Sequence, residues 1–480
     1  MKIVVANSVG VDKRGYKMIH YPSRWTTGVK RMYFAWYPWE LAYLTALLKR
    51  ETGHDVKMID GCLREFDCQT YLKEIIKERP DFLIMESSTR TIDEDLRLAL
   101  QLKKQLGTKL IFAGQHASAY PEELSKSVDF VCQGEYEFTV LDIIQGKEVS
   151  SIEGIYPNAC RDPLDVNSLP WPEDDDIKRI DYCVPGPPGL RFRQIQAYGS
   201  RGCPFRCSFC VCSNLYYSKP TWRARNTDDI VKEISYLKNK YKEMEGIFFD
   251  EEIHNFKRDH VIELCKKIIA SDLNKLHYTA MCAYATLDEE VLEIMKKAGY
   301  YQIRIGIETA SDKIAESIGM RGKIDIKRLF RVLEKAKKLG FEIYGTFLIG
   351  APGADIQEDE KTLCLLRDLL KKELICELQV SICTPQPGTP FFNDMQSQGL
   401  LRTKDWQRYD GTTEAVVSYP QYGSKDIERQ FKRAVDIGHY YRGKMSLKRD
   451  GLWVTLNKAL QKRGFFGLLG VLIKRLLGKV

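Results

Sequence analysis

Three cysteines, Cys203, Cys207 and Cys210, lie within eight residues in the stretch GSRGCPFRCSFC (199–210). Each gap is short enough for one small loop. Thiolates at this spacing can ligate three irons of a [4Fe–4S] cube, which leaves the fourth iron open to a substrate or cosubstrate. Zinc is the competing occupant, but a zinc site takes a second ligand pair. No CxxC or HxxxH partner follows downstream, and Cys212 falls outside the spacing. Carboxylates form a second set. FFDEE (248–252) supplies Asp250, Glu251 and Glu252, and IGIET (305–309) supplies Glu308. Taken singly, the acids could be a helix N-terminus favouring negative charge, and Glu308 could be a surface residue. Their weight comes from recurring at strand ends in one order.

The elements that must position these residues alternate along the chain. In the first part, strand-like runs at 2–6, 55–60, 81–87, 109–114 and 128–134 are separated by helical patterns at 39–54, 71–80, 93–107, 121–127 and 137–144. This βαβ series predicts a doubly wound, Rossmann-like α/β domain over residues 1–159, with ligands beyond the carboxyl ends of its strands. Residues 160–192 hold six prolines and an acidic cluster and read as a linker lying over a surface. Alternation resumes with candidate strands at 193–199, 246–252, 277–283, 301–308, 342–350 and 378–385. Six βα units over 193–400 predict a partial (βα)6 TIM-like barrel, open on one side, with its site at the C-terminal strand ends. Residues 401–480 read as a mostly helical region ending in a basic amphipathic tail.

The cysteine segment resembles the radical S-adenosylmethionine (SAM) superfamily, whose signature is CxxxCxΦC with an aromatic Φ, here Phe209. The resemblance implies that Cys203, Cys207 and Cys210 hold the cluster. The open iron would chelate SAM, and the reduced cluster would cleave it to a 5′-deoxyadenosyl radical. It also implies that Asp250, Glu251 and Glu252 are candidates to meet the SAM amino group and Glu308 the ribose hydroxyls. GTFLIGAPG (345–353), with Gly350, resembles the family's glycine motif near the adenine. TPQPGTP (384–390) resembles the proline–glycine turn after the sixth strand, and WRARN (222–226) the basic stretch after the cluster loop. One departure is Ala283, Tyr284 and Ala285 at the third strand end, where many relatives carry a basic or polar residue.

The first domain resembles the cobalamin-binding domain of cobalamin-dependent radical SAM enzymes. The residues carrying this are GQHASAYPEEL (114–124) and VDFVCQGEYEFTVLDII (128–144), with Gly114, His116, Gly134 and Glu135, and MESSTRT (85–91) with Ser87 on the same face. Small residues there would admit a flat corrin. No Asp-x-His-x-x-Gly is present, so His116 is not expected to be an axial ligand. A sheet that keeps the fold without the cofactor is the alternative.

The resemblance implies cobalamin, SAM and a [4Fe–4S] cluster as cofactors and a methyltransferase as the activity. One SAM would methylate the cobalamin, and a second would generate the radical that opens an unactivated carbon to methylation. A radical cyclase, oxidase or rearranging enzyme with the same cofactors is the second reading; a cofactor-binding or membrane-associated scaffold without turnover is the third. The substrate would be a small molecule or a lipid, and electrons would come from a donor such as a flavodoxin or ferredoxin.

Charge and composition bound the rest. The net charge of +8 is carried by the tail from Gly443 onwards, which has nine Lys/Arg against one acid, Asp450. The remainder is neutral, so no nucleic-acid partner is expected. The fourteen cysteines occur without a signal peptide, which points to a reducing, cytoplasmic location. In GFFGLLGVLIKRLLGKV (464–480) the apolar run is shorter than the ~20 residues that span a bilayer. The tail reads equally as an interfacial helix peripheral to the inner membrane face or as a helix docked on the barrel.

Overall fold

Five parallel strands, nearly all buried, form the first layer of the computed structural model. Described are residues 1–12, 14–21, 25–29, 35–183, 191–217, 219–320 and 324–476, the last helix being described by its backbone alone from residue 452. In order come β1 (Lys2–Ala6), the hairpin β2 (Lys17–Tyr21) and β3 (Trp25–Val29), α1 (Trp39–Glu51), β4 (Asp55–Ile59) and α2 (Cys68–Glu78). These are followed by β5 (Phe82–Glu86), α3 (Ile92–Leu106), β6 (Lys109–Ala113), α4 (Gln115–Ala119), α5 (Pro121–Ser125), β7 (Phe130–Val131) and α6 (Glu137–Ile144). The sheet order β4-β1-β5-β6-β7 is that of a doubly wound fold whose direction reverses between β1 and β5. Strand β5 is buried at every residue, as helices on both faces require. Helix α3 opens with Asp93, Glu94 and Asp95, closes with Lys103 and Lys104 and stops at Gly107 in the left-handed region, so charge and cap both agree with its direction.

The second layer is a six-stranded parallel sheet. Strand β8 (Gln194–Ala197) leads to a short antiparallel pair, β9 (Ser200–Arg201) and β10 (Arg223–Ala224), that closes the cysteine loop. Then follow α7 (Thr227–Lys240), β11 (Gly246–Phe249), α8 (Arg258–Ala270), β12 (His277–Cys282), α9 (Glu289–Lys297) and β13 (Tyr300–Glu308). The chain continues through α10 (Asp312–Ser317), α11 (Ile326–Lys338), β14 (Glu342–Ile349), α12 (Ile356–Lys371), β15 (Glu377–Ile382), α13 (Pro390–Ser397) and α14 (Ser424–Leu476). The order β15-β14-β13-β12-β11-β8 is the expected open half-barrel. Both edges are covered, as exposed strand edges generally are in soluble folds. On the β15 side α14 packs closely enough that a Cβ on Gly438 would lie 3.1 Å from Leu378. On the β8 side Arg179 donates to the Gln196 carbonyl at 2.8 Å.

That second contact corrects the expected linker. Residues 172–183 are mostly buried between the two layers, whereas 160–170 are mostly exposed or half-buried. Asp176 accepts from the Met58 amide and from Lys49, Tyr182 donates to Asp60 at 2.5 Å, and Arg179 pairs with Glu233, both 2% exposed. The prolines prevent regular structure, while the acids and aromatics between them bind both layers. Residues 184–190 lie outside the described set. Three further differences are local. The segment read as a strand at 128–134 keeps only Phe130–Val131, because β7 is an edge paired with β6 alone. The hairpin of β2 and β3 and the short helix α4 were not foreseen. Residues 401–423 are irregular, tied by the bridge Leu401↔Val417, and the helix of the C-terminal region begins at Ser424. The tail at 464–480 lies outside the residues whose side chains are described, so neither reading of it is tested.

The two layers are joined by buried polar and aromatic contacts. Arg201 Nη1 lies 2.6 Å from Glu137 and 3.2 Å from Glu135, with all three side chains 3% exposed or less. Arg223 donates to Glu135 at 2.8 Å. Burial opposes the Arg201 cation, yet Glu137 and Glu135 hold its pKa well above the ordinary value. Beside this cluster Trp39 stacks on Tyr198 at 4.0 Å, and the Tyr21 and Tyr198 hydroxyls are 2.7 Å apart. Removing one partner of a buried ion pair leaves an uncompensated charge. Arg201→Met is therefore expected to destabilise the protein in urea unfolding by roughly 3–5 kcal/mol, whereas Lys126→Ala, on an exposed ion pair, should change it by less than about 0.5 kcal/mol.

Candidate active site

Arg201 immediately precedes the loop that carries the cysteines. Gly202 turns the chain at φ +96°, and a Cβ there would meet the Thr221 carbonyl at 2.5 Å, so glycine is needed for the turn. Asn214 then pins the loop, its Nδ2 donating to the carbonyls of Cys207 (2.9 Å) and Cys210 (2.6 Å). The thiols lie close enough to act on one another. Burial pushes the Cys203 thiol up to about 12, with Cys210 and Cys207 adding to the shift. A hydrogen bond from the Cys212 side chain brings Cys210 down to about 6. Cys212, outside the spacing, thus supports a ligand position. Among the described residues no group of His, Cys, Asp or Glu converges on a single metal ion. A cube suits this arrangement, because each thiolate takes a different iron. The half-buried thiols and the pinned carbonyls fit such a cluster. Phe209, between two of the cysteines, is half-buried against the core.

The three acids of FFDEE part company. They follow the end of β11 and their side chains take different partners. Glu252 accepts from the Gly202 amide (3.1 Å) and from Tyr217 (2.8 Å), which holds it at the base of the cysteine loop. Asp250 accepts from Trp36 Nε1 of the first domain at 2.6 Å. Glu251 is fully buried beneath the sheet, 2.6 Å from His254 Nδ1, while His254 Nε2 meets Tyr300 at 2.8 Å. Its expected part at the SAM amino group does not match this placement, because its carboxylate is taken up by His254 in a fully buried layer with Tyr300.

Glu308 ends β13 at φ +62°, uncommon for a residue with a side chain. A register shift between Gly306 and Glu308 accompanies it, and Thr346 donates to its Oε1 at 3.0 Å. This half-buried carboxylate at the barrel mouth can accept hydroxyl donors such as those of a ribose. Gly350 differs from its expected placement. It turns at φ +72°, donates its amide to Asp359 at 2.9 Å, and a Cβ would lie 2.5 Å from Ile427 of α14. The glycine is fixed by helix packing.

In the first domain the strand ends face the barrel. Gly114 has φ +94°, and a Cβ would strike Glu86 at 2.5 Å. Ser87 is fully buried beside it. Gly134 lies over the Tyr216 carbonyl and donates its amide N–H to Ser118 Oγ at 2.9 Å. Glu135, expected among the corrin-facing residues, is instead spent on Arg201, Arg223 and the Leu164 amide (3.1 Å). A buried carboxylate needs this pairing more than a neutral corrin could supply. His116 is enclosed by Tyr120 and Trp406, with ring centroids 5.2 and 5.9 Å away, and burial lowers its pKa to about 4. It is therefore neutral near pH 7 and walled in by rings.

Three segments meet between the layers. Gln115 donates to Gln386 at 3.0 Å, and a Cβ on Gly388 would strike Leu215 at 2.6 Å and Ala119 at 3.1 Å. The proline–glycine turn, the helix after the cysteines and α4 thus share one junction. Arg90, at the carboxyl end of β5 beside the reversal point, donates to the Gln407 carbonyl at 3.1 Å, while its Nη1 is buried without a hydrogen-bond partner. An orphaned cationic donor at a switch point fits a ligand rich in amide and phosphate oxygens, as cobalamin is. Neither Arg90 nor Arg201 carried a sequence signal beyond its position next to a predicted strand end.

Comparisons with known proteins agree with this geometry. The family model described as the Radical SAM superfamily matches residues 198–366, and that described as the B12 binding domain matches residues 26–144. An uncharacterized methyltransferase of Pyrococcus horikoshii is 29% identical over 86% of this chain and 89% of its own. An anaerobic magnesium-protoporphyrin IX monomethyl ester cyclase of Rubrivivax gelatinosus is 24% identical over 79% of this chain and 69% of its own. The solved radical SAM methyltransferase TsrM from Kitasatospora setae superposes with a TM-score of 0.65 at 17% identity, covering 84% of this chain and 77% of that one. This chain belongs to the cobalamin-dependent radical SAM enzymes. Its cofactors are accordingly a [4Fe–4S] cluster, SAM and cobalamin. Among the described residues no helix is long and apolar enough to cross a membrane.

Two outcomes follow. Anaerobic reconstitution with iron, sulfide and hydroxocobalamin should give about four irons and one cobalt per chain. The triple substitution Cys203→Ala/Cys207→Ala/Cys210→Ala should lose the iron and keep the cobalt. Separately, an unfolded chain protonates His116 near its ordinary 6.5 and the folded chain only near 4. Between those values the unfolded state binds the extra proton, so this contribution is complete above pH 6.5 and is lost as pH falls towards 4. His116→Gln should reduce the loss in urea stability between pH 7 and pH 4.5 by about 2–3 kcal/mol.

Proposed function

We propose that the chain transfers a methyl group to an unactivated carbon of a small molecule. The observation that carries this reading is the single junction at which the cysteine loop, the turn at Gly388 and the strand ends of the B12-binding domain meet. When bound, the cluster with SAM supplies a 5′-deoxyadenosyl radical and cobalamin supplies the methyl group. The residues do the rest. Cys203, Cys207 and Cys210 would hold the cluster at the barrel mouth, and Glu308 would receive the ribose hydroxyls. Gly114 gives close access to the strand end, and neutral His116 shields that edge with Tyr120 and Trp406. The segment around Trp406 and Gln407 lies across the first domain and helps exclude water.

The cyclase relative gives a second reading, radical chemistry without methyl transfer. The two separate in one experiment. The reconstituted holoenzyme, titanium(III) citrate and SAM bearing a CD3 group are incubated anaerobically, and the products are read by mass spectrometry. Methyl transfer predicts 5′-deoxyadenosine together with S-adenosylhomocysteine and CD3-labelled cobalamin. 5′-Deoxyadenosine without labelled cobalamin would overturn it in favour of the second reading.

A further inference from the structure

Helix α14 begins as part of the barrel. A Cβ on its Gly438 would lie 3.1 Å from Leu378 of β15. Arg433, Arg442 and Lys448 pair with Glu360 (2.6 Å), Glu377 (2.8 Å) and Glu373 (2.9 Å). Another face of the helix is apolar and open. Tyr440 is 46% exposed and Leu447 45%. Lys444, exposed as well, stands between them at the i,i+4 and i,i+3 spacings that put neighbours on one face. At Gly451 the backbone turns at φ +79°, which a right-handed helix cannot continue, and a Cβ there would meet nothing within 4 Å. The part of α14 that packs on the barrel therefore ends at an exposed turn, and the helical residues 452–476 form a second segment beyond it.

We propose that this second segment, together with Tyr440, Lys444 and Leu447, docks the enzyme on the surface of a bilayer rich in anionic lipid. Residues 452–476 hold Lys458, Lys462, Arg463, Lys474 and Arg475 and no acid. No ion pair within the segment can neutralise them, unlike the cations of the first segment. The chain outside the tail is neutral overall, so its body offers no excess of acids to take them up. Pairing with a second copy would bring like charges together. At the helical period Leu452, Leu456, Ala459 and Leu460 share one face with Trp453 at its edge, and Lys458 and Lys462 take the opposite one. Val454 and Arg463 depart from that pattern. Ten apolar residues follow, Gly464 to Ile473, bracketed by Lys462 and Arg463 before and Lys474 and Arg475 after. They make about 15 Å of helix, half of the roughly 30 Å of a bilayer's hydrocarbon core. Crossing would drag a basic pair into hydrocarbon. Lying in the interface lets the apolar residues sink while both basic pairs stay among anionic headgroups.

The test is cosedimentation of the reconstituted full chain with sucrose-loaded vesicles, made of phosphatidylcholine alone or of two parts phosphatidylcholine to one part phosphatidylglycerol. Wild type should bind the anionic vesicles at least about 10-fold better than the neutral ones, and added salt should shrink the difference. A cation near an anionic surface favours binding about 5-fold, so Lys458→Gln/Lys462→Gln should lose at least about 10-fold. Phe465→Ser/Phe466→Ser should weaken binding as well, by removing apolar area from the interface. The emission of Trp453, isolated as the difference between wild type and Trp453→Phe, should shift to the blue on anionic vesicles. Equal sedimentation with both kinds of vesicle, or none with either, would overturn the inference, and so would a preference that survives Lys458→Gln/Lys462→Gln. A Trp453 emission already blue and unmoved by vesicles would place the segment on the protein itself and overturn it too. The wild-type comparison decides even where a variant fails to fold. Vesicle binding needs no turnover, so failure of the methyl-transfer reading would appear in the CD3 products and leave this result unchanged.

Discussion

One buried ion cluster carries the geometry of this enzyme. Arg201 sits directly before the loop that holds the cysteines, and its guanidinium is neutralised by Glu135 and Glu137 of the other domain. Desolvating a guanidinium and two carboxylates costs several kcal/mol per ion. The cost is offset only when all three meet in good geometry, so the two domains have one favourable arrangement. Arg223 and the Leu164 amide satisfy the other oxygen of Glu135. The same contacts therefore fix the cluster loop and aim the strand ends of the B12-binding domain at it.

The aromatic contacts work in the same direction. Trp39 on Tyr198, Tyr21 against Tyr198 and Trp36 on Asp250 bring residues of the first domain to the ends of β8 and β11. The strap 160–183 adds Arg179 and Tyr182 along the edge of β8. A radical that abstracts hydrogen from an unreactive carbon must be kept from solvent and from its own protein. A junction built from buried rings and paired charges is a physical means to that end.

Much of this was legible in the sequence. The βαβ alternation gave both sheets because parallel strands covered on both faces read as apolar runs, and all six barrel strands fall within two residues of their expected starts and four of their expected ends. The cysteine loop and the place of Glu308 at the end of β13 were legible because the spacing and the strand are local features. What was not legible depends on partners distant in the chain. Glu135 looked like a ligand residue because its partners Arg201 and Arg223 lie 66 and 88 residues away. Glu251 looked equivalent to Asp250 and Glu252, and its partner His254 with Tyr300 behind it is what sets it apart. The prolines of the strap suggested a loose linker, since composition does not show that Asp176 and Tyr182 find Met58 and Asp60.

The central claim is that cluster and cobalamin share one junction set by the interdomain ion pair. Electron paramagnetic resonance of the reduced holoenzyme, with the paramagnetic cluster and cob(II)alamin both present, tests it most directly. The account predicts spin–spin broadening of both signals in the wild type, reduced in Arg201→Met protein that keeps its iron and cobalt. A wild-type spectrum that is the plain sum of two unperturbed signals would contradict it.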